Sequence, residues 1–279
     1  GESGVRAAIQ GIAGAFSHAA ARVLAGAEVR IVPCETFDQL FGSVVDGDAE
    51  IAVVPVENSL AGAVTENLDL LYDHDLDTVA EAYVRVELCV VAPPGVALAD
   101  LSTAASHPVA LRQCRRFFSS HPGLKPVAVY DTAGSIQDLM AGGAGYDGAI
   151  GSRFAAELYG ATVLEEGVED NPRNFTRFFA LSHVPAEPPE GPSKTSLAFV
   201  TEHRPGALHQ ALGIMAGHGA DLTRLESRPI PGSPWEYRFY VDLRSPDPGS
   251  LRACLEELRR ATTDLRVFGT YLEARPPLG

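Results

Sequence analysis

The chain has 279 residues, of which 46% are hydrophobic and 21% are charged, and its formal net charge is −14. This length predicts two domains, each large enough to bury a hydrophobic core. The acidic balance, without any block rich in Lys or Arg, argues against nucleic acid or an anionic membrane as the main partner. An anionic small molecule stays open as a ligand, provided that the fold builds a local positive site for it.

The sequence shows no pattern of a membrane segment, a signal peptide or a metal site. No apolar run approaches the ~20 residues of a membrane helix, and the start lacks the charged and apolar regions of a signal peptide. The cysteines are scattered without metal-ligand spacing: Cys34, Cys89, Cys114 and Cys254. Such usage favours buried, reduced thiols. We therefore expect a cytoplasmic protein without a metal.

Strands alternate with turns and helices over the first two thirds of the chain. Residues 51–56 form a continuous apolar run, which is typical of a strand buried on both faces of a parallel sheet. Further strands are predicted over 5–11, 29–32, 79–91 (one or two strands), 127–130, 149–150 and 174–181. Helices are predicted over 18–24, 37–45, 64–72, 109–118, 131–140 and 154–158. Repeated units of this kind predict a parallel or mixed sheet with helices on both faces.

Polar residues recur where a predicted strand gives way to a helix, namely at Ser17, Ser59, Thr132 and Ser152. Helix N-termini carry free N–H groups and a partial positive charge. Several of them meeting in one cleft would hold carboxylates without many Lys or Arg. This arrangement reconciles an anionic ligand with an acidic protein.

The first of these turns, which ends at Ser17, can be interpreted in two ways. Gly11 and Gly14 precede Ser17, but their spacing is not that of a dinucleotide-binding loop. The turn either presents backbone N–H groups to an anion or is a plain strand–helix turn with Ser17 as its cap. His107 stands before Pro108, and a lone histidine in this position is more typical of a structural cap than of a catalytic base.

Two further polar clusters can also be interpreted either as part of a ligand site or as purely structural. Asn58 and Ser59 follow the buried strand, where α/β proteins place their ligands, but they could also only turn the chain and cap the next helix. The run Asn174-Phe175-Thr176-Arg177-Phe178 puts an amide, a hydroxyl and a guanidinium at the mouth of a strand, as in a ligand site. An ordinary strand, with a surface Arg and a Thr chosen for β-propensity, is the alternative.

A linker and a small second domain complete the chain. Residues 184–193 contain Pro185, Pro188, Pro189 and Pro192, which is typical of a linker. Beyond it, strands are predicted over 195–201, 220–228, 235–243 and 265–272, and helices over 205–218 and 249–260. The order βαββαβ matches a ferredoxin-like unit. A sheet this small has an exposed edge, which favours pairing with a second copy.

Together these segments resemble the prephenate dehydratase family, from about Val5 to about Leu272. The resemblance is carried by eight motifs in register: Gly11-Ile12-Ala13-Gly14-Ala15-Phe16-Ser17, Pro55-Val56-Glu57-Asn58-Ser59 with Gly62, Ser106-His107-Pro108 with Gln113-Cys114, Asp131-Thr132-Ala133, Ser152 with Ala155-Ala156 and Tyr159-Gly160, Asn174-x-Thr176-Arg177-Phe178, Gly206-Ala207-Leu208, and Glu226-Ser227-Arg228-Pro229. Pro234-Trp235-Glu236-Tyr237 lies near the last of them. One departure is Gly151, where the family usually has Ala.

The resemblance implies a fold, a division of the chain and a set of site residues. It implies a two-lobed α/β catalytic domain like that of periplasmic binding proteins over 5–183, a linker over 184–193 and a ferredoxin-like ACT regulatory domain over 194–279. Catalytic roles are implied for Asn174, Thr176, Arg177 and Phe178. Substrate binding is implied for Phe16, Ser17, Glu57, Asn58, Ser59, Gly62, Gln113, Thr132, Ala133 and Ser152. Binding of regulatory phenylalanine is implied for Gly206, Ala207, Leu208, Glu226, Ser227, Arg228 and Pro229.

The implied reaction is the decarboxylating dehydration of prephenate to phenylpyruvate on the route to L-phenylalanine. Aromatisation drives it, so no cofactor is expected. Thr176 is expected to hydrogen-bond the departing hydroxyl, and Arg177 to pair with a carboxylate if it points into the cleft. Glu57 is either an acid with a raised pKa or a helix-capping carboxylate, and capping is the favoured role. The expected partners are prephenate, L-phenylalanine as effector and further copies in a homodimer or homotetramer.

Two other functions stay open. Arogenate dehydratases run the same chemistry on the amino analogue and yield phenylalanine directly, and the sequence does not separate the two substrates. A non-catalytic amino-acid sensor would keep the cleft and the regulatory domain without turnover. The intact Thr176-Arg177-Phe178 run argues against the sensor.

Overall fold

The computed structural model describes residues 3–276, in which fifteen strands and nine α-helices build three sheets. Up to residue 182 the strands are β1 Arg6–Gln10, β2 Arg30–Cys34, β3 Ile51–Asn58, β4 Gly62–Ala63, β5 Asp77–Arg85, β6 Cys89–Ala92, β7 Thr103–Ser106, β8 Lys125–Ala128, β9 Ala149–Gly151, β10 Thr162–Glu165 and β11 Phe175–Ser182. The helices are α1 Phe16–Ala25, α2 Phe37–Val45, α3 Thr65–Asp73, α4 Pro108–Arg112, α5 Arg115–Ser120, α6 Thr132–Ala141 and α7 Arg153–Tyr159.

The first part of the chain forms two mixed sheets. In the first sheet the strand order is β2-β1-β3-β11-β5, with β4 paired to β3, and β1 is parallel to both β2 and β3. In the second sheet the order is β10-β6-β9-β7-β8, where β7 is parallel to β8 and β9 while β6 is antiparallel to its neighbours. Helix α1 packs on the first sheet through a core cluster of Ala7, Ile9, Ala20, Ala21, Val53 and Phe178. The prediction of a mixed sheet with helices is confirmed.

The last part of the chain has the predicted βαββαβ order: β12 Ser193–Val200, α8 Ala207–Gly217, β13 Asp221–Ile230, β14 Ser233–Arg244, α9 Pro248–Ala261 and β15 Asp264–Leu272. The antiparallel sheet has the order β13-β14-β12-β15, which is ferredoxin-like. Both helices cover one face of it, where Leu197, Phe199, Val241 and Leu243 meet Met215 and Leu258 among others.

The described chain divides into two compact units. The first contains residues 3–62, Ala82–Phe178 and Pro276, and the second contains Ala63–Glu81 with Phe179–Arg275. The second unit therefore joins the ferredoxin-like sheet to a segment from the first part of the sequence, namely helix α3 and the start of β5. Within this unit, Arg238 lies over the Tyr72 ring at 3.3 Å from its centroid, and Arg228 is ion-paired with Asp69. The proposed boundaries at 183 and 194 stay a prediction.

Most predicted elements are confirmed to within a few residues, and the departures are of two kinds. The helix predicted over 109–118 is two short helices, because the chain breaks at Gln113 and Cys114 between α4 and α5. The short strands β4, β7 and β10 were not predicted. No helix in residues 3–276 combines the length and the apolar character that crossing a membrane would need.

Candidate active site

A cleft of about 880 Å³ lies in the first unit, where the turns after β1 and β2 face the starts of four helices. Five of the predicted substrate-binding residues line it. The sixteen lining residues are Gln10, Gly11, Ile12, Gly14, Ala15, Phe16, Ser17, Pro33, Cys34, Glu35, His107, Tyr130, Asp131, Thr132, Ala133 and Ser152. The structure therefore brings Phe16, Ser17, Thr132, Ala133 and Ser152 together, although up to 136 positions separate them in the sequence.

The N-termini of helices supply the partial positive charge in this cleft. The starts of α4, α6 and α7 are capped by side chains, since His107 Nδ1 accepts from Val109 N at 3.1 Å, Asp131 accepts from Ala133 N and Ser152 accepts from Ala155 N. Helix α1 begins after Ala15, and this N-cap residue makes no side-chain capping hydrogen bond. The N–H groups of α1 are thus the donors best placed for an anion. The favoured interpretation of His107 as a structural cap is confirmed.

Ser17 is not a helix cap. It lies one residue inside α1, whose N-cap is Ala15, and it is 9% exposed on the cleft wall. Thr132 is likewise the first residue of α6, where Asp131 is the cap. Capping occupies neither hydroxyl, and the hydrogen bond that Thr132 Oγ1 makes among the described residues is a long one from Ser106 Oγ at 3.5 Å, so both hydroxyls can still donate to a ligand. Ser152, in contrast, does cap α7.

The turn before α1 is held by hydrogen bonds to three side chains. Gly14 N donates to His18 Nδ1 at 3.0 Å, Gly14 O accepts from Ser152 Oγ at 3.3 Å, and Ala13 O accepts from the Tyr159 hydroxyl. Gly14 has a φ of +92°, and a Cβ there would lie 3.2 Å from atoms of Ala155 and Tyr159. Glycine is therefore required at this position. Burial, with a smaller contribution from the Arg22 guanidinium, lowers the pKa of His18, which keeps Nδ1 an acceptor.

The charged side chains of the described cleft lining are acidic. None of the described lining residues is Lys or Arg, and two of them, Glu35 and Asp131, are acidic. Gln10, Cys34, Glu35, Tyr130 and Asp131 were missed as site residues from the sequence. They stand at the ends of β1 and β2 and directly before α6, so the rule that ligands gather at the carboxyl ends of parallel strands could have found them.

A second group of predicted residues forms a hydrogen-bonded cluster at the ends of β3 and β11. Asn58 Nδ2 lies 2.8 Å from Asn174 Oδ1 and 3.2 Å from Thr176 Oγ1. Ser59 clamps the same turn to β11, because its hydroxyl donates to Arg173 O and accepts from Phe175 N, both at 2.9 Å. Asn174 is 1% exposed. Asn58 and Ser59 thus hold the turn together, which is the structural role that the sequence left open.

The position of Thr176 follows from strand geometry. Side chains two residues apart in a strand project from the same face, so Thr176 shares a face with Phe178. Phe178 belongs to the core cluster against which Phe16 packs, and Phe16 is a cleft residue. Thr176 is therefore on the face of the first sheet that carries α1, but like Arg177 it is not among the residues that line the cleft.

Arg177 projects from the opposite face of β11 to Thr176 and is 2% exposed. It is not among the residues that line the cleft. Its pairing with a substrate carboxylate stays a prediction, and its burial favours a structural role.

Glu57 lies inside strand β3 and is not the N-cap residue of a helix, so its favoured capping role stays a prediction. Gln113 ends α4, where its carbonyl accepts from Asp170 N at 2.6 Å, and Gly62 begins the short strand β4 with a φ of +83°. These three residues do not line the cleft.

The second unit has a cavity of about 680 Å³ beside the start of α8. Gly206, Ala207 and Leu208 line it together with Trp235 and other residues of the following hairpin. Gly206 is the N-cap of α8 with a φ of +80°, which favours glycine. The other predicted effector residues, Glu226, Ser227, Arg228 and Pro229, lie on β13 and do not line this cavity.

Two mixed sheets with a cleft between their turns, followed by a ferredoxin-like unit, define an α/β protein with a fold like that of periplasmic binding proteins. The family model for prephenate dehydratase matches residues 7–186. The chain belongs to the prephenate dehydratase family, whose members are carbon–oxygen lyases.

Relatives and solved structures agree with this assignment. A bifunctional N-acyl-homoserine lactone acylase/prephenate dehydratase of Komagataeibacter europaeus is 40% identical over 95% of this chain and 94% of its own. The chloroplastic arogenate dehydratase/prephenate dehydratase 2 of Arabidopsis thaliana is 37% identical over 96% of this chain and 73% of its own. The crystal structure of prephenate dehydratase in complex with L-Phe from Arthrobacter aurescens is 33% identical and superposes with a TM-score of 0.87, covering 98% of this chain and 92% of that one.

Proposed function

We propose that the protein is a prephenate dehydratase that converts prephenate to phenylpyruvate in L-phenylalanine biosynthesis. The observation that carries the proposal is the hydrogen-bonded cluster of Asn58, Asn174 and Thr176, in the same unit as a cleft whose helix starts suit carboxylates. Family membership supports the reaction class. The four cysteines are free and buried, which supports a cytoplasmic protein.

The reaction needs little covalent chemistry from the protein. The bond from the ring to its carboxylate breaks, and the electron pair moves into the ring while the C–O bond to the ring hydroxyl breaks. Carbon dioxide leaves, and the hydroxyl takes up one proton to leave as water. The protein must therefore hold two carboxylates and assist the departing hydroxyl.

We assign these two tasks to two groups of described residues, namely the cleft lining and the hydrogen-bonded cluster around Thr176. The first turn of α1, with Ser17 and Thr132, would hold the carboxylates through N–H and O–H donors. Thr176 would donate a hydrogen bond to the departing hydroxyl. A threonine is a weak acid, so it positions or relays the proton rather than supplying it from its own ionisation. Asn174 and Phe178 would support Thr176 by a hydrogen bond to Asn58 and by core packing.

Turnover of prephenate and arogenate, measured side by side, tests the proposal. Faster conversion of prephenate supports it, whereas faster conversion of arogenate keeps the site but changes the substrate. The names of the plant relatives make arogenate the main alternative. No turnover of either by folded protein would favour a non-catalytic amino-acid sensor instead.

A second candidate activity comes from the relative that is 40% identical over nearly its whole length and is named an N-acyl-homoserine lactone acylase as well. Release of homoserine lactone from an N-acyl-homoserine lactone, measured with the same preparation, tests it. Release that prephenate suppresses would place both reactions in the same cleft. Lack of release would limit the protein to the dehydratase reaction.

We also propose that L-phenylalanine regulates the protein through the ferredoxin-like unit acting as an ACT domain. The complex of a relative with L-Phe supports this role, as does the cavity at Gly206, Ala207 and Leu208. Because Glu226–Pro229 lie outside that cavity, both motifs would act together only if a second copy supplied one of them. A homodimer or homotetramer would meet this requirement. Sedimentation with and without L-phenylalanine tests it.

A further inference from the structure

We propose that Asn58 is a positioning residue that makes the Thr176 hydroxyl a hydrogen-bond donor toward the substrate. The inference rests on the proposed role of Thr176 in the dehydration. It replaces the expected contact between Asn58 and substrate, because the Asn58 amide is already fully bonded.

The orientation of the Asn58 amide is fixed by the backbone. Its Oδ1 accepts from Leu60 N and from Ala61 N, each at 2.9 Å. Backbone N–H groups only donate, so the atom that faces them must be the oxygen. Nδ2 therefore points the other way, at 2.8 Å from Asn174 Oδ1 and 3.2 Å from Thr176 Oγ1.

This geometry uses the whole hydrogen-bonding capacity of Asn58. An asparagine side chain offers two donor hydrogens and two acceptor lone pairs. Both lone pairs bond the turn, and the two hydrogens bond Asn174 and Thr176. A direct bond from Asn58 to substrate would break one of these four.

The same bond decides what Thr176 can do. A hydroxyl has one donor hydrogen and two lone pairs, and Asn58 occupies one lone pair of Thr176 Oγ1. The Thr176 proton cannot be directed at Nδ2, which has no acceptor capacity. Among the described residues none accepts the Thr176 proton in a hydrogen bond. The hydroxyl is therefore oriented to donate, which is what a departing hydroxyl requires.

A double-mutant cycle tests the inference with prephenate turnover as the readout. Thr176→Val removes the hydroxyl and should lower kcat by ~10²–10⁴. Asn58→Ala should lower kcat by about tenfold or more, as one lost hydrogen bond of ordinary strength does, with little change in KM. In the double variant Asn58→Ala should have no further effect, because its partner hydroxyl is gone. Thr176→Ser, which keeps the hydroxyl, should retain the response to Asn58→Ala.

Independent effects that multiply in the double variant would overturn the inference, and so would a rise in KM as the main effect of Asn58→Ala. Wild-type turnover in Thr176→Val would overturn the role of Thr176 itself, so the two failures are distinguishable. Thermal unfolding shows which variants are folded.

Asn58→Asp decides the question if Asn58→Ala does not fold. The introduced carboxylate has the same shape and can still accept from Leu60 N and Ala61 N, but it accepts the Thr176 proton instead of donating. We expect kcat of this variant to fall at neutral pH. It should recover in part, relative to wild type at the same pH, as acid gives the introduced carboxyl one donor hydrogen that Thr176 Oγ1 can accept. A kcat ratio that does not change with pH would contradict the inference.

Discussion

Arg228 Nη2 lies 2.7 Å from Asp69 Oδ2, so strand β13 and helix α3 are ion-paired within the second unit. The hydrogen bond to Asp69 raises the pKa of Arg228, which stays charged throughout. Arg228 is also one of the residues expected to bind regulatory phenylalanine. A bound amino-acid carboxylate and Asp69 would therefore compete for the same guanidinium.

Asp69→Asn should release Arg228 and strengthen inhibition by L-phenylalanine. We expect the half-inhibitory concentration to fall severalfold, with basal turnover unchanged because Asp69 is outside the site. Asp221→Asn is the matched control, since Asp221 also pairs with an arginine, Arg244, on the same sheet. An unchanged half-inhibitory concentration in Asp69→Asn would separate Arg228 from effector binding.

Thr176→Ala should reduce kcat by ~10²–10⁴ while KM changes little, because the hydroxyl assists the departing group rather than holding the carboxylates. Thr176→Ser is the control that keeps the hydroxyl on the same backbone. Steady-state assays at saturating prephenate measure both. Turnover in the alanine variant equal to that of wild type would remove Thr176 from the mechanism.

Arg177→Lys distinguishes a structural role of this residue from pairing with a substrate carboxylate. Because Arg177 is 2% exposed on the face opposite Thr176, we expect a loss of ~1–3 kcal/mol in the free energy of unfolding and a KM within about twofold of wild type. Urea unfolding and steady-state kinetics measure these quantities. Arg173→Lys, an exposed arginine nearby, is the control. A KM raised tenfold without a loss of stability would show that Arg177 binds a carboxylate.

Gly151→Ala introduces the residue usual in the family, yet it should destabilise this protein. A Cβ at Gly151 would lie 2.6 Å from Ile136 Cδ1, which belongs to a fully buried side chain. Overpacking of this kind costs ~1–3 kcal/mol. Ile136→Val removes the Cδ1 atom, so the double variant should be more stable than the sum of the two single effects predicts. Additive effects in urea unfolding would show that Ile136 does not cause the strain.

Stability should decrease as pH falls below about 6.5, in part through His18. Its pKa is lowered in the folded protein, so between the folded and unfolded pKa values only the unfolded chain binds the proton. The contribution of His18 is complete above the unfolded pKa and is lost as pH falls toward the folded one. His18→Gln should flatten this part of the pH dependence of urea unfolding. An equally steep curve in that variant would assign the loss to other groups.

The elements that the sequence predicted well are those with local signals. Helix α2 was predicted over its full observed range, because Thr36 caps it by accepting from Gln39 N and its apolar residues share one face. Strand β7, Thr-Ala-Ala-Ser, has small residues without a period and was missed. The break between α4 and α5 was missed for a different reason. Asp170 accepts from Arg115 N and Arg116 N there, and it lies 54 residues away from Arg116.

The site residues, too, were predicted where the signal is local and not where it depends on distant parts of the chain. Motifs identified Asn58 and Thr176, but not what they do to each other, because the bond joins residues 118 positions apart. The local pattern placed Arg177 beside Thr176, whereas the strand puts the two side chains on opposite faces. Which face is buried depends on the neighbouring elements, which a single strand does not encode.

The lack of Lys and Arg side chains in the described cleft lining has a kinetic consequence. A protein with a net charge of −14 repels a doubly charged anion at long range, while the attraction from helix N–H groups acts only at contact. Added salt screens the long-range repulsion, since the Debye length falls to about 8 Å at 0.15 M. The diffusional encounter with substrate should therefore accelerate as ionic strength rises. An active site lined by arginines would show the reverse.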